Sequence, residues 1–411
     1  MKSILNISKK IDIGSRFNNF ALRAEFKKFG WQACFASWTP PKEFSDEIFS
    51  VETRLNRIIT NGKSSLSRLT GNVDGYYSNA IFFKKLKAYQ EADLLHFHII
   101  HESYLSLKDW EVLSHDKPVV WTWHDPYPMH GHCLHSFDCD RYKEGCIKCP
   151  HLDYHFEILR DRSSKNLIER VEMVKKIDPL VIVASKWMLE RVRESKFRDD
   201  IRVELLPFGV TYPMSNETTS EARKRLKIPV DNIVIGFRAD YSMYKGLDLI
   251  LFALNKLASE FGDMPITIIT FQEKNTLKTV EDKFQVIDLG WVGGEDVHKY
   301  YPAMNFFLMP SKAEAFGLMA VEAMMHGVFP LVTHGTALES LLMDPEHSLV
   351  SLHDAESYFD LIVKALLNYK YYSKLKKDEL QGWALKEYSS MKFIEKLSKI
   401  YTQEYARFHH F

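Results

Sequence analysis

Glu314 and Glu322 stand eight positions apart in EAFGLMAVEAM, residues 314–324, with Gly317 between them. The surrounding segment FFLMPSKAEAFGLMAVEAMMHG reads as a buried strand over 306–310, a loop over 311–316, a helix over about 317–326 and a helix-ending Gly327. A helix N-terminus carries backbone N–H groups without intrahelical partners and a partial positive charge. Gly317 and Leu318 are therefore placed to donate to a phosphate, and glycine lets the ligand come close. An ionised glutamate accepts hydrogen bonds from hydroxyls instead. One reading is thus a nucleotide-sugar site, with phosphates on the helix terminus, sugar hydroxyls on Glu314 and ribose hydroxyls on Glu322. The other is an ordinary helix, with Glu322 solvated and Glu314 worth roughly a few tenths of a kcal/mol near the N-terminus.

GFRADYSMYKGLDLIL adds two cations, Arg238 after a strand and Lys245 at the start of the next helix. Two cations at the mouth of a strand-loop-helix unit suit a diphosphate whose leaving charge must be stabilised away from bulk water; standing alone, they would be surface charges on a loop. In WTWHDPYPMHGHC, His124 and Asp125 end a buried strand and point toward the same kind of cleft. His96 and His98 are two apart on one strand and so face one side. They read equally as structural and as acceptor-lining residues.

Four of the five cysteines fall in CLHSFDCDRYKEGCIKC: Cys133, Cys139, Cys146 and Cys149. In a reducing compartment such a cluster with a terminal C-x2-C fits a structural Zn²⁺ site, with His130, His132 or His135 able to replace a thiolate. Buried free thiols and redox pairing are the alternatives. None of the cluster is assigned to catalysis.

These residues need elements to hold them. Strand-like runs at 3–8, 33–37, 94–100, 118–123, 180–185 and 203–208 alternate with helical stretches such as 17–28 and 187–195. After the polar stretch 211–220 the pattern restarts at 233–237, 266–270, 286–290, 306–310 and 329–333. The expected fold class is α/β, two doubly wound parallel-sheet domains facing a cleft, since ligands of open α/β sheets bind at the C-terminal strand ends. The expected boundaries are 1–212, with a cysteine-rich loop at 130–150, then 213–385, and a helix at 386–411 packing back on the first domain.

Composition narrows the class of partner. The 411 residues carry 54 Lys plus Arg against 54 Asp plus Glu, which leaves no net field for nucleic acid or an anionic surface. The start MKSILNISKKIDIGS has too short an apolar run for a signal peptide or a membrane span, so a cytoplasmic protein is expected. FFKKLKAY, residues 82–89, mixes basic and aromatic residues and reads either as a solvated helix face or as a peripheral membrane contact under a lipid-linked acceptor.

The second half resembles the donor domain of a GT-B glycosyltransferase, specifically the large retaining group known as glycosyltransferase family 4. The resemblance is carried by Arg238 with Lys245 and Gly246, by LGWVGGEDVHKYYPAMNFFLMPS, by the E-x7-E of Glu314 and Glu322, and by THGTALESLL. ADLLHFHIIHESYLSL, VVWTWHD, VASKWM and LPFGV extend it more loosely through the first half.

The resemblance implies a metal-independent retaining transfer from a UDP- or GDP-linked sugar to a glycan or lipid-linked acceptor in polysaccharide biosynthesis. It implies that Arg238 and Lys245 hold the diphosphate, Glu314 and the amides of Phe316, Gly317 and Leu318 contact the sugar, and Glu322 takes the ribose. His124 would touch the donor sugar or lie beside the reacting centre, and Gly14 would belong to a loop near the phosphates, without the usual paired glycines. Six residues separate Arg238 from Lys245, a longer gap than in many members, and Phe208 stands where asparagine is common. The cysteine-rich loop is similar to one found in a subset of these enzymes resembling those of surface-polysaccharide synthesis. A sugar-nucleotide epimerase, a phosphorylase or a non-catalytic GT-B partner protein would share much of the phosphate site.

Overall fold

The structure is a computed structural model that describes residues 1–11, 18–41, 45–99, 101, 103–153, 156–210, 215, 217–294, 296–343 and 349–409. It divides into two compact units, Met1–Thr211 with Ser390–Phe411, and Tyr212–Ser389. Each is a parallel α/β sheet.

The first unit contains β1 (Lys2–Ser8), β2 (Trp31–Ser37), β3 (Ile48–Ser50), β4 (Leu94–Phe97), β5 (Val119–Trp123), β6 (Leu180–Val183) and β7 (Arg202–Leu205). They lie in the order β3-β2-β1-β4-β5-β6-β7, all parallel. The order reverses between β1 and β4, which makes a crevice at their C-terminal ends. Every residue of β4, β5 and β6 is buried, as expected for strands covered on both faces. An aromatic run crosses this sheet: Phe97 stacks on Trp110 at 4.1 Å, Trp110 meets Trp121 at 4.5 Å, and Trp121 meets Trp123 at 5.3 Å.

The second unit contains β8 (Ile233–Ala239), β9 (Ile266–Gln272), β10 (Gln285–Asp288), β11 (Phe306–Met309), β12 (Phe329–Thr333) and β13 (Val350–Ser351), in the order β10-β9-β8-β11-β12-β13. Alternation along β8 sends Ile233, Ile235 and Phe237 into one core with helix Leu247–Glu260, while Val234 joins Ile269, Phe307 and Tyr301 on the other face. The switch point lies between β8 and β11.

The helix Ser390–His409 belongs to the first unit. Arg202 grips Glu404 through both nitrogens at 2.7 and 2.8 Å, Lys2 lies 3.6 Å over the Tyr405 ring, and Tyr401 is fully buried. Among the described residues no helix is long and apolar enough to cross a membrane. The helix expected over 17–28 is instead two short 3-10 turns, Phe20–Leu22 and Glu25–Phe29, within its described part.

Candidate active site

In the second unit the loops after β8 and β11 meet at the switch point. Lys245 Nζ bonds Glu314 Oε2 at 2.7 Å, with the two side chains 23% and 17% exposed. Backbone bonds from Lys312 and Ala313 to the Tyr244 carbonyl join the loops further. Gly246, at φ 70°, caps helix Leu247–Glu260, and a Cβ there would meet the Pro310 carbonyl oxygen at 2.1 Å. Only glycine lets the strands' loops approach so closely.

Helix Leu318–Met325 starts at Gly317, whose φ of 95° lies in the left-handed region and whose added Cβ would meet Leu338 at 2.3 Å. The amides that open this helix have no intrahelical partners, and the helix begins three residues after Glu314 on the same loop. Phe316 is buried edge-on against Tyr388. Glu322 lies deeper, 2% exposed, and accepts from Tyr301 Oη at 3.3 Å while its carbonyl meets His326 Nδ1 at 2.8 Å. Arg238, next to last in β8 and not after it as expected, is exposed, paired with Asp240 at 3.0 Å and bonded to Gln272. Burial raises the Asp240 carboxyl, but two hydrogen bonds from Ser242 and the Arg238 charge leave it below its ordinary value.

In the first unit, His124 follows β5 and stacks on Phe208 at 5.3 Å. Its Nε2 lies 3.0 Å from His98 Nδ1, and His98 Nε2 lies 3.1 Å from Asn6 Oδ1. Asn6 donates through Nδ2 to the Cys34 carbonyl, so its Oδ1 is an acceptor. Burial, with neighbouring histidines for His98, holds both rings neutral, His124 down to about 3. The tautomers follow: His98 carries its proton on Nε2, accepts at Nδ1 from His124 Nε2–H, and leaves His124 with a lone pair at Nδ1. Beside them His96 touches Tyr401 at 2.6 Å and Thr122 at 2.7 Å. Asp125 accepts from the Tyr127 amide at 2.9 Å and lies 3.5 Å from His101. Gly14 lies outside the described residues.

The zinc expectation is not supported. Among the described residues no three His, Cys, Asp or Glu side chains converge in a metal-binding set. All five cysteines are free thiols. Burial first, then the neighbouring thiols, pushes Cys133 well up and Cys146 up to about 11, while Cys149 Sγ stands 3.9 Å from His132 Nδ1. His130 is turned to the Cys133 carbonyl at 3.1 Å. Spacing suited a metal, but the side chains do not converge on one.

Residues 232–368 match the family model described as glycosyl transferases group 1. The chain is a glycosyltransferase of the GT-B fold. This glycosyltransferase is 23% identical over 349 residues to an uncharacterized 41.2 kDa protein in the cps region of Klebsiella pneumoniae, covering 82% of this chain and 87% of that one. It is 36% identical over 77 residues to a putative colanic acid biosynthesis glycosyl transferase, WcaC, of Escherichia coli, 17% of this chain and 19% of the other. Sucrose-phosphate synthase from Thermosynechococcus elongatus superposes with a TM-score of 0.70 at 16% identity, over 99% of this glycosyltransferase and all of that chain. Anabaena HepE, solved in complex with UDP and glucose, gives 0.64 at 14% identity, over 98% and 100%.

Sequence reasoning missed two supports of the candidate residues in the first unit. Arg170, fully buried, pairs with Asp74 and donates to the carbonyls of Tyr127, Pro128 and His130 at 3.0, 3.2 and 2.5 Å, so it holds the loop that follows Asp125. Tyr401 is the other, 305 positions from His96. Neither lies in a motif, and a buried arginine in helix Ser163–Ile177 has no local signature.

Proposed function

We propose that this glycosyltransferase transfers a sugar, with retention of anomeric configuration, from a UDP-linked donor to a glycan or lipid-linked saccharide in surface-polysaccharide synthesis, as glycosyltransferase family 4 enzymes do. The reading places it on the cytoplasmic side of the membrane, with the first unit as the acceptor domain and the second as the donor domain. The observation that carries it is the Lys245–Glu314 pair beside the Gly317 helix terminus at the switch point of the second sheet.

In that pair each charge keeps the other soluble in a partly buried loop until the donor arrives. The diphosphate then takes Lys245, Arg238 and the amides of Phe316, Gly317 and Leu318 at the helix entrance, and frees Glu314 for a sugar hydroxyl. Glu322, at the inner end of the same helix, serves the ribose. In the first unit, Asp125 orients the loop that follows His124. The acceptor hydroxyl attacks from the leaving-group face, and a donor phosphate oxygen takes its proton. Lys245 and the helix dipole stabilise the departing diphosphate as charge develops.

The test is calorimetric titration of UDP-, GDP- and ADP-sugars into wild type and Lys245→Ala. The expected result is binding of the UDP class, lost in the variant. Equal binding by both proteins would remove Lys245 from the site, and an inverted anomeric signal in the product would rule out retention.

A further inference from the structure

Helix Arg54–Thr70 is built inside out. It buries Asn56, Thr60 and Ser67, while Leu55, Ile58, Ile59, Leu66 and Leu69 are 43–69% exposed. The buried face is held by polar bonds: Asn56 Nδ2 to the Val51 carbonyl at 2.8 Å, Asn79 Nδ2 to Thr60 Oγ1 at 3.3 Å, and Ser67 Oγ to the Asn72 carbonyl. At 3.6 residues per turn the five exposed side chains fall within an arc of about 100°, with Arg54, Arg57 and Arg68 along one flank. Ile81, on the neighbouring helix Ala80–Lys84, is also exposed. Soluble proteins seldom leave so continuous an apolar stripe in water without a partner for it.

We propose that this stripe docks on an anionic lipid surface. The helix has four cations, Arg54, Arg57, Lys63 and Arg68, and no acidic residue. Its countercharges come from outside it, Glu52 on Arg57 at 2.6 Å and Glu157 on Arg68. A two-fold pairing of copies would set one arginine-flanked stripe against another with no acid on either helix, whereas anionic headgroups complement it. This places the surface contact on residues 54–70, not on the basic-aromatic segment 82–89.

The same helix reaches a cavity of about 410 Å³, in the size range of small-molecule sites. Ser64, Ser67 and Arg68 line it together with His101, Tyr127 and Phe156. His101 lies against Tyr127 at 4.4 Å and 3.5 Å from Asp125, so the cavity borders the reacting end of the first unit. A saccharide on a lipid anchor would meet stripe and cavity through one helix. The docking inference itself goes beyond the transfer chemistry and does not depend on it.

The test is sedimentation of the full chain with vesicles of phosphatidylcholine alone and of phosphatidylcholine mixed with an equal amount of phosphatidylglycerol. Wild type is expected to bind the mixed vesicles about tenfold more tightly than the neutral ones, as roughly one or two interfacial cations would provide. The triple variant Leu55→Ser, Ile58→Ser, Ile59→Ser is expected to lose vesicle binding with its melting temperature kept, and Arg54→Glu to weaken binding to the mixed vesicles alone. Wild type that stays in the supernatant, or a triple variant that sediments like wild type, overturns the proposal. So does light scattering that finds a wild-type dimer split by the serine variant, which would assign the stripe to a second copy. UDP binding in the same preparations reads the donor site separately.

Discussion

At the scale of single residues, the site is a set of neutral or paired groups, and that sets what each substitution does. Lys245→Ala removes a charge that has a partner at 2.7 Å in the free protein and, in the proposed reaction, a diphosphate in the bound one. Its expected cost is about 10²–10³-fold in kcat/KM, the size of a lost transition-state donor, read by steady-state kinetics. Gly317→Ala must hold a left-handed backbone and also push Leu338 aside, so a loss of about 1–3 kcal/mol is expected in urea unfolding. Arg170→Met leaves half-buried Asp74 without its cation and the Pro128 and His130 carbonyls without this donor, while the Tyr127 carbonyl keeps the His130 amide. The expectation is a loss of about 3–5 kcal/mol, checked the same way. For His98 and His124, nitrogen spectra of the labelled protein should find both rings as neutral Nε2–H tautomers near pH 7. A proton on His124 Nδ1 would break the chain that runs back to Asn6.

At the scale of elements, what was legible in the sequence was whatever local pattern encodes. The apolar runs at 119–123, 180–183, 306–309 and 329–333 are strands because β-branched and aromatic side chains fill both faces of a covered sheet. The short edges Ile48–Ser50 and Val350–Ser351 escaped because two or three residues carry no period. Helix Leu318–Met325 and its loop were legible because glycine and the flanking strand punctuate them. The partners that fix the site were not. Arg170 meets Asp74 across 96 positions and Tyr401 meets His96 across 305, and no period links residues so far apart. The cysteine spacing pointed to a metal because spacing constrains the backbone, whereas side-chain direction, which decides coordination, is not written in it. Helix Arg54–Thr70 adds a test at this scale: Gly62 sits mid-helix with nothing within 4 Å of an added Cβ. Gly62→Ala should therefore stabilise the protein by about 0.5–1 kcal/mol in thermal unfolding.

At the scale of the whole molecule, buried histidines make the fold sensitive to acid. Burial lowers His96, His98, His101, His124 and His130, with His101 and His124 down to about 3 from an ordinary 6.5. The unfolded chain therefore binds protons that the folded chain refuses. Stability is unaffected above pH 6.5 and falls as pH drops from there toward 3, by up to about 1.4 kcal/mol per pH unit for each such ring. Urea midpoints at a series of pH values should decline through that window, and a flat profile would mean the rings titrate normally. The helix Ser390–His409 has a temporal consequence as well. On the ribosome, the first sheet emerges long before the side chain that reaches His96 is made, while the intervening sheet has all its own strands and helices behind it. Maturation should run against the direction of synthesis, with the later-made sheet finished first and the earlier one waiting for the last helix before its polar interior closes.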